Sequence, residues 1–189
     1  SVADPTLTFV LLRANKDLAF MSSTLGLPTG EIDQWCRTLE MGCASLRNPE
    51  TKNFNAINLK SGEHTGHLTS ASFLCWYAGM GDKSMLDLLK NTLQDTLYPI
   101  PSLDKNSSKF DGLRYWRGPT WPILNALIGL GLSDMGHEKE AETIRSRTRE
   151  LISRHGFAEY FDPISGIPGG GKAFSWTAAV WLAWASPSV

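Results

Sequence analysis

The sequence predicts an all-α protein built from helical hairpins, and three observations carry that expectation. Apolar residues recur at helical spacing in seven segments, and helix-starting and helix-stopping residues bracket those segments. Long polar loops precede the third, fifth and seventh helices, so the long connections recur at every second junction. Stacked hairpins then place every long loop at one end, as in a solenoid or a closed α/α toroid. A toroid of six hairpins needs twelve helices and on the order of 350 residues. The 189 residues here predict about half of one, roughly seven helices in a single domain spanning 1–189.

Each element has a local reason. Asp4-Pro5 is a cap followed by proline at the first helical position, opening a helix to about Thr24 that Gly26 stops. Its predicted buried face is Leu7, Phe9, Val10, Leu12, Leu18 and Met21. Pro28-Thr29 opens a second helix over about 30–46, with Ile32, Trp35, Cys36, Leu39, Cys43 and Leu46 at helical spacing. A long loop rich in Asn and Gly follows over 48–68, with a short strand expected at Phe54–Leu59. Thr69 caps a third helix to about Gly79, and Asp82 or Ser84 starts a fourth to about Leu93. The loop 95–118 leads to an apolar fifth helix from Pro119 to about Met135. The sixth helix, about 138–154, has a polar side carrying Glu138, Lys139, Glu142, Arg145 and Arg149, and stops at Gly156. The seventh begins at Ser175 and is apolar nearly all round, as suits a helix inside a larger assembly.

Composition excludes several classes of function. Eighteen basic and 19 acidic residues leave a net charge of −1, which argues against a nucleic-acid partner. No apolar run reaches the ~18–20 residues that span a bilayer, and Ser1-Val-Ala-Asp-Pro shows no signal-peptide pattern. Cys36 and Cys43 stand roughly 10.5 Å apart on a helix, too far for a disulfide. With Cys75 they predict buried reduced thiols in a cytoplasmic protein.

Seven tryptophans direct attention to two segments. Arg114-Tyr-Trp-Arg-Gly-Pro-Thr-Trp121 offers flat rings beside a guanidinium at the mouth of the fifth helix, and Gly156-Phe-Ala-Glu-Tyr-Phe-Asp-Pro163 holds Glu159 among three rings. Rings that stack on sugar faces, together with a carboxylate that activates water, are what carbohydrate hydrolysis needs. An extended 157–162 would set Phe157, Glu159 and Phe161 on one face, and Trp176 would lie at the same end as Glu159 and Trp116. Each residue also has a structural explanation, with Glu159 paired to an arginine or capping a helix and the rings plugging the end of the core. Asp162 before Pro163 reads as a turn residue.

Other motifs fail. Gly166-Ile-Pro-Gly-Gly-Gly-Lys172 has phosphate-loop spacing, but Ala173 replaces the required hydroxyl residue and no buried strand precedes it. His64 and His67 have no third ligand nearby, so no metal is expected, and no cofactor is implied.

Tyr115-Trp-Arg-Gly-Pro-Thr-Trp121, Gly156–Pro163 and Phe174-Ser-Trp-Thr-Ala178 together resemble the C-terminal half of glycoside hydrolase family 63 proteins. The branch they resemble most contains the bacterial mannosylglycerate and glucosylglycerate hydrolases. Asp4-Pro-Thr, Leu11-Leu-Arg-Ala-Asn15 and Tyr98-Pro-Ile-Pro-Ser102 fit the same pattern. The resemblance implies an (α/α)6 toroid, a carbohydrate substrate and an inverting mechanism. It makes Glu159 the general base, places Tyr115, Trp116 and Trp121 in the sugar pocket with Trp176 as a further candidate, and gives Arg117 a role in holding the pocket or pairing with Glu159. The family's general acid is an aspartate of the N-terminal part and has no counterpart among these residues. A partner chain, the N-terminal half or a homo-oligomer would therefore complete the toroid. The alternative is a non-catalytic sugar-binding or scaffolding chain. An α/α-toroid epimerase ranks last, because His64, His67, His137 and His155 do not accompany the aromatic motifs.

Overall fold

A computed structural model describes residues 1–187. Helix α1 (Pro5–Thr24) starts where predicted, with Asp4 accepting hydrogen bonds from the Thr6 and Leu7 amides. Helix α2 (Gly30–Ser45) packs against it. Strand β1 (Val2–Ala3) pairs with β2 (Ile57–Asn58), which lies inside the stretch expected to be extended. Helices α3 (Ser70–Phe73), α4 (Lys83–Asp95), α5 (Pro122–Asp134) and α6 (Glu138–His155) follow. Strands β3 (Tyr160–Phe161) and β4 (Pro168–Gly169) form a small hairpin before α7 (Ser175–Val180), which continues as a π-helical turn over Trp181–Ala185. The architecture is all-α, with seven helices and two minimal two-stranded ribbons among the described residues.

Two helices differ from expectation for visible reasons. The third was expected to run to Gly79, but its α-helical part ends at Phe73 and tightens into i→i+3 turns, with Trp76 N–H bonding Phe73 O and Gly79 N–H bonding Trp76 O. Helix α5 presses on this segment so closely that a Cβ at Gly131 would lie 2.3 Å from the Trp76 carbonyl carbon. The fifth helix starts at Pro122 rather than Pro119, because Thr120 exchanges both backbone hydrogen bonds with Phe161 and cannot be helical. Pairing with a distant strand outcompetes the local proline signal.

The polar side predicted for α6 has a tertiary use. Arg145 Nε donates to Trp184 O and Arg149 Nε to Ala185 O, both at 2.6 Å, while Arg147 Nη1 reaches Leu93 O at 2.5 Å. Guanidinium groups thus satisfy the orphan carbonyls at the ends of α7 and α4, where the helix dipoles also favour positive charge.

The main core gathers Phe9, Phe73, Trp76, Met85, Leu89, Ile128 and Leu132, each at most 1% exposed. Tyr98, Leu151, Ala158 and Phe161 form a second cluster beneath the β3–β4 hairpin. The face expected to be buried on α1 is largely open. Phe9 and Leu12 are buried, whereas Leu7 (74%), Met21 (60%), Leu18 and Val10 are exposed. On α2, Cys43 is buried while Trp35 is exposed. Helical spacing reports which residues are apolar without saying which of them this chain covers. The three thiols are free. Burial pushes the Cys43 thiol up to about 11 and raises that of Cys75 further.

Candidate active site

Three segments converge at the long-loop end: 111–121, the β3–β4 hairpin and the start of α7. The first is a tight loop closed by Asp111 N–H to Arg117 O (2.7 Å) and Arg117 N–H to Arg114 O (2.8 Å). At its tip Tyr115 adopts φ 42°, a left-handed conformation that costs a non-glycine residue free energy and clusters at functional sites. Trp121 Nε1 donates to Tyr115 O at 3.2 Å and helps hold that conformation.

The kinked backbone aims the Tyr115 hydroxyl at Glu159 Oε1, 3.2 Å away. Partial burial and the neighbouring Glu159 carboxylate raise the Tyr115 phenol above its ordinary value, so it stays protonated and donates. The second carboxylate oxygen, Oε2, accepts from the Gly171 amide at 3.2 Å, and Glu159 N–H closes the loop onto Gly171 O. The glycine run that mimics a phosphate loop thus serves this carboxylate. A Cβ on Gly170, at φ +69°, would stand 2.4 Å from Glu159 Oε2. Thr177 Oγ1 donates to Ala158 O at 2.7 Å, tying the start of α7 to the same hairpin.

Around the carboxylate, Tyr115 meets Trp116, Trp121 and Tyr160 edge-on, with ring centroids 5.0–5.8 Å apart. Trp116 stacks on Trp121 at 4.2 Å and 6°. Trp121 is 2% exposed and backs Trp116, whose ring is half exposed and offers its outer face to a ligand. Tyr160 was not singled out in the sequence, although it sits beside Glu159 in the same motif.

The remaining candidates lie apart from this cluster. Arg117 donates through Nε and Nη2 to Lys109 O, so it braces the loop and does not pair with Glu159. Trp176 is at the same end, as expected, but it is 57% exposed, has Phe174 as its ring neighbour and lines a 380 Å³ apolar groove between α5 and α7. The expected face of Phe157, Glu159 and Phe161 does not form. The strand begins only at Tyr160, Phe161 is fully buried and Phe157 is exposed beside Trp181. Asp162 Oδ1 accepts from the Ile164 and Ser165 amides, the turn role read from its proline neighbour. Asp111 Oδ1 caps the Leu113 amide. No cluster of three potential metal ligands occurs among the described residues, and no helix among them is long and apolar enough to cross a membrane.

Comparison with known proteins gives this constellation a family. The profile of the mannosylglycerate hydrolase MGH1-like glycoside hydrolase domain matches residues 1–177. The chain belongs to that family. It is 33% identical to mannosylglycerate hydrolase MGH1 of Selaginella moellendorffii over 97% of this chain and 39% of that protein. It is 34% identical to mannosylglycerate hydrolase of Thermus thermophilus over 97% of this chain and 45% of that protein. The crystal structure of a family 63 mannosylglycerate hydrolase from Thermus thermophilus in complex with glucose superposes at TM-score 0.90 and 34% identity, covering 96% of this chain and 47% of that one. Neutral trehalase Nth1 of Saccharomyces cerevisiae, 15% identical at TM-score 0.68, shares the fold alone. The chain therefore spans less than half the length of these relatives, and its hairpins form about half of an (α/α)6 toroid.

Proposed function

We propose that this chain is the C-terminal, base-bearing part of the catalytic domain of an inverting glycoside hydrolase acting on glucosylglycerate or mannosylglycerate. The observation that carries the reading is Glu159, oriented by a phenol and a backbone amide beside a half-exposed, backed tryptophan ring. Glu159 takes a proton from water as the water oxygen bonds to the anomeric carbon. The glycosidic bond breaks on the opposite face, and the leaving oxygen receives a proton from an acid roughly 6.5–9.5 Å from the base. Asp111 and Asp162 are each committed to a turn. The acid is therefore assigned to helices outside this chain, as the family resemblance implies. The glycerate-glycoside substrate is supported by the activities for which the relatives above are named.

The test is Glu159→Gln in the enzyme completed by the acid-bearing half, assayed for hydrolysis of both glycosides. Less than about a tenth of wild-type turnover is expected, since general base catalysis contributes ~10²–10⁴-fold. Fuller retention would remove Glu159 from the role. The commitment of Asp111 and Asp162 to turns also supports a second reading, a non-catalytic sugar-binding chain. That reading predicts sugar-dependent tryptophan quenching with no hydrolysis in any pairing.

A further inference from the structure

Short connections join α1 to α2 and α5 to α6, so α1, α3, α5 and α7 all begin at the end where Glu159 lies. Two cavities, each about 330 Å³, open there beside Trp116. They share four walls, Asp4, Thr69, Ala71 and Trp116, and so adjoin one another. The first is completed by polar residues, among them Thr6, Ser70 and Ser102.

Two oxygen atoms on these part-exposed walls have no partner among the described residues. Both amides capped by Asp4 bond to the same oxygen, Oδ1, at 2.8 and 3.2 Å. Among the described residues, Oδ2 receives no hydrogen bond. Thr69 stands at the N-cap position of α3, yet its side chain makes no capping bond. Asp4 and Thr69, each with an oxygen that has no such partner, line the same space, with the Trp116 ring as a third wall. An acceptor and a hydroxyl beside a flat apolar ring match a pyranose, which presents hydroxyls at its edge and C–H groups on its face.

We infer that Asp4 Oδ2 and the Thr69 hydroxyl form a hydroxyl-binding subsite that holds the edge of a pyranoside while Trp116 covers its face. This rests on the sugar-pocket reading above and adds α1 and α3 to the elements that position the ligand. Asn caps helices about as well as Asp, so Asp4→Asn keeps the cap and replaces the Oδ2 acceptor with a donor.

Methyl α-D-mannopyranoside and methyl α-D-glucopyranoside are titrated into the chain, following ¹H–¹⁵N shifts of the Trp116 indole and of the Thr6, Thr69 and Ala71 amides. All four are expected to move together. Asp4→Asn is expected to raise Kd about tenfold, as loss of a charge-assisted hydrogen bond does, with an unchanged melting curve. Thr69→Val is expected to raise it about fivefold. If the Trp116 indole responds while Asp4→Asn leaves Kd within twofold, Asp4 is a cap only and the subsite falls, with the sugar pocket intact. If neither glycoside moves the Trp116 indole, the subsite and the sugar-pocket reading both fall.

Discussion

The long-loop end and the flanks of α1 and α7 are built to opposite rules. Around Glu159 each carboxylate oxygen has a donor, the rings lock edge to face, and Thr177 and Thr120 pin the hairpin to α7 and to the 111–121 loop. Along α1, and along α7 with its π-helical continuation, by contrast, Leu7, Phe20, Met21, Trp176 and Leu182 stand more than half exposed. The loop end is preorganised by bonds inside this chain. The flanks carry apolar area of the kind that marks an interaction surface, and the proposed second half of the toroid would cover it.

Four substitutions sharpen this contrast. Phe161→Ala should have the largest effect, since Phe161 is fully buried against Tyr98 and Leu151. A loss of about 3–5 kcal/mol in urea unfolding is expected. Gly170→Ala should cost about 1–2 kcal/mol through its positive φ and should displace the Glu159 carboxylate, so binding and turnover should suffer beyond the stability loss. Leu182→Ser, on the open flank, should change the stability of this chain by no more than about 0.5 kcal/mol while weakening assembly with an acid-bearing half. A large stability loss would show that the flank is packed within this chain.

The smallest effect is electrostatic. Burial pushes the Asp82 carboxyl up, but the Met85 amide, the Ser84 hydroxyl and Arg47 outweigh it and leave the group below its ordinary value. A depressed folded-state value contributes stability above the unfolded value of about 3.9, and that stability is lost as pH falls through the folded value. The melting difference between wild type and Asp82→Asn should be present at neutral pH and should vanish in acid.

The legible parts of this protein were those set by neighbours in sequence. Asp4-Pro5 marked the start of α1, Gly156 the end of α6 and Asp162-Pro163 a turn, because caps and turns are satisfied within a few residues. The Trp116 and Glu159 motifs pointed to sugar chemistry through residue types alone. Long-range partners escaped the same reading. The sequence rules out a phosphate loop at 166–172 but does not reveal that the glycines at 169–170 pack on Glu159 and Tyr160. It leaves Arg117 a candidate partner for Glu159, whereas Arg117 bonds Lys109 O.

The sequence by itself determined the all-α class and the hairpin rhythm, since periodicity and capping are local properties, and it nominated Glu159 and its neighbouring rings as candidates. Tertiary structure alone decided which apolar faces are covered, where α5 begins and which donors hold Glu159. Those outcomes depend on pairing between segments up to tens of residues apart, such as Thr120 with Phe161 and Tyr115 with Glu159. Close packing and hydrogen-bond satisfaction choose among such pairings only once the chain has folded.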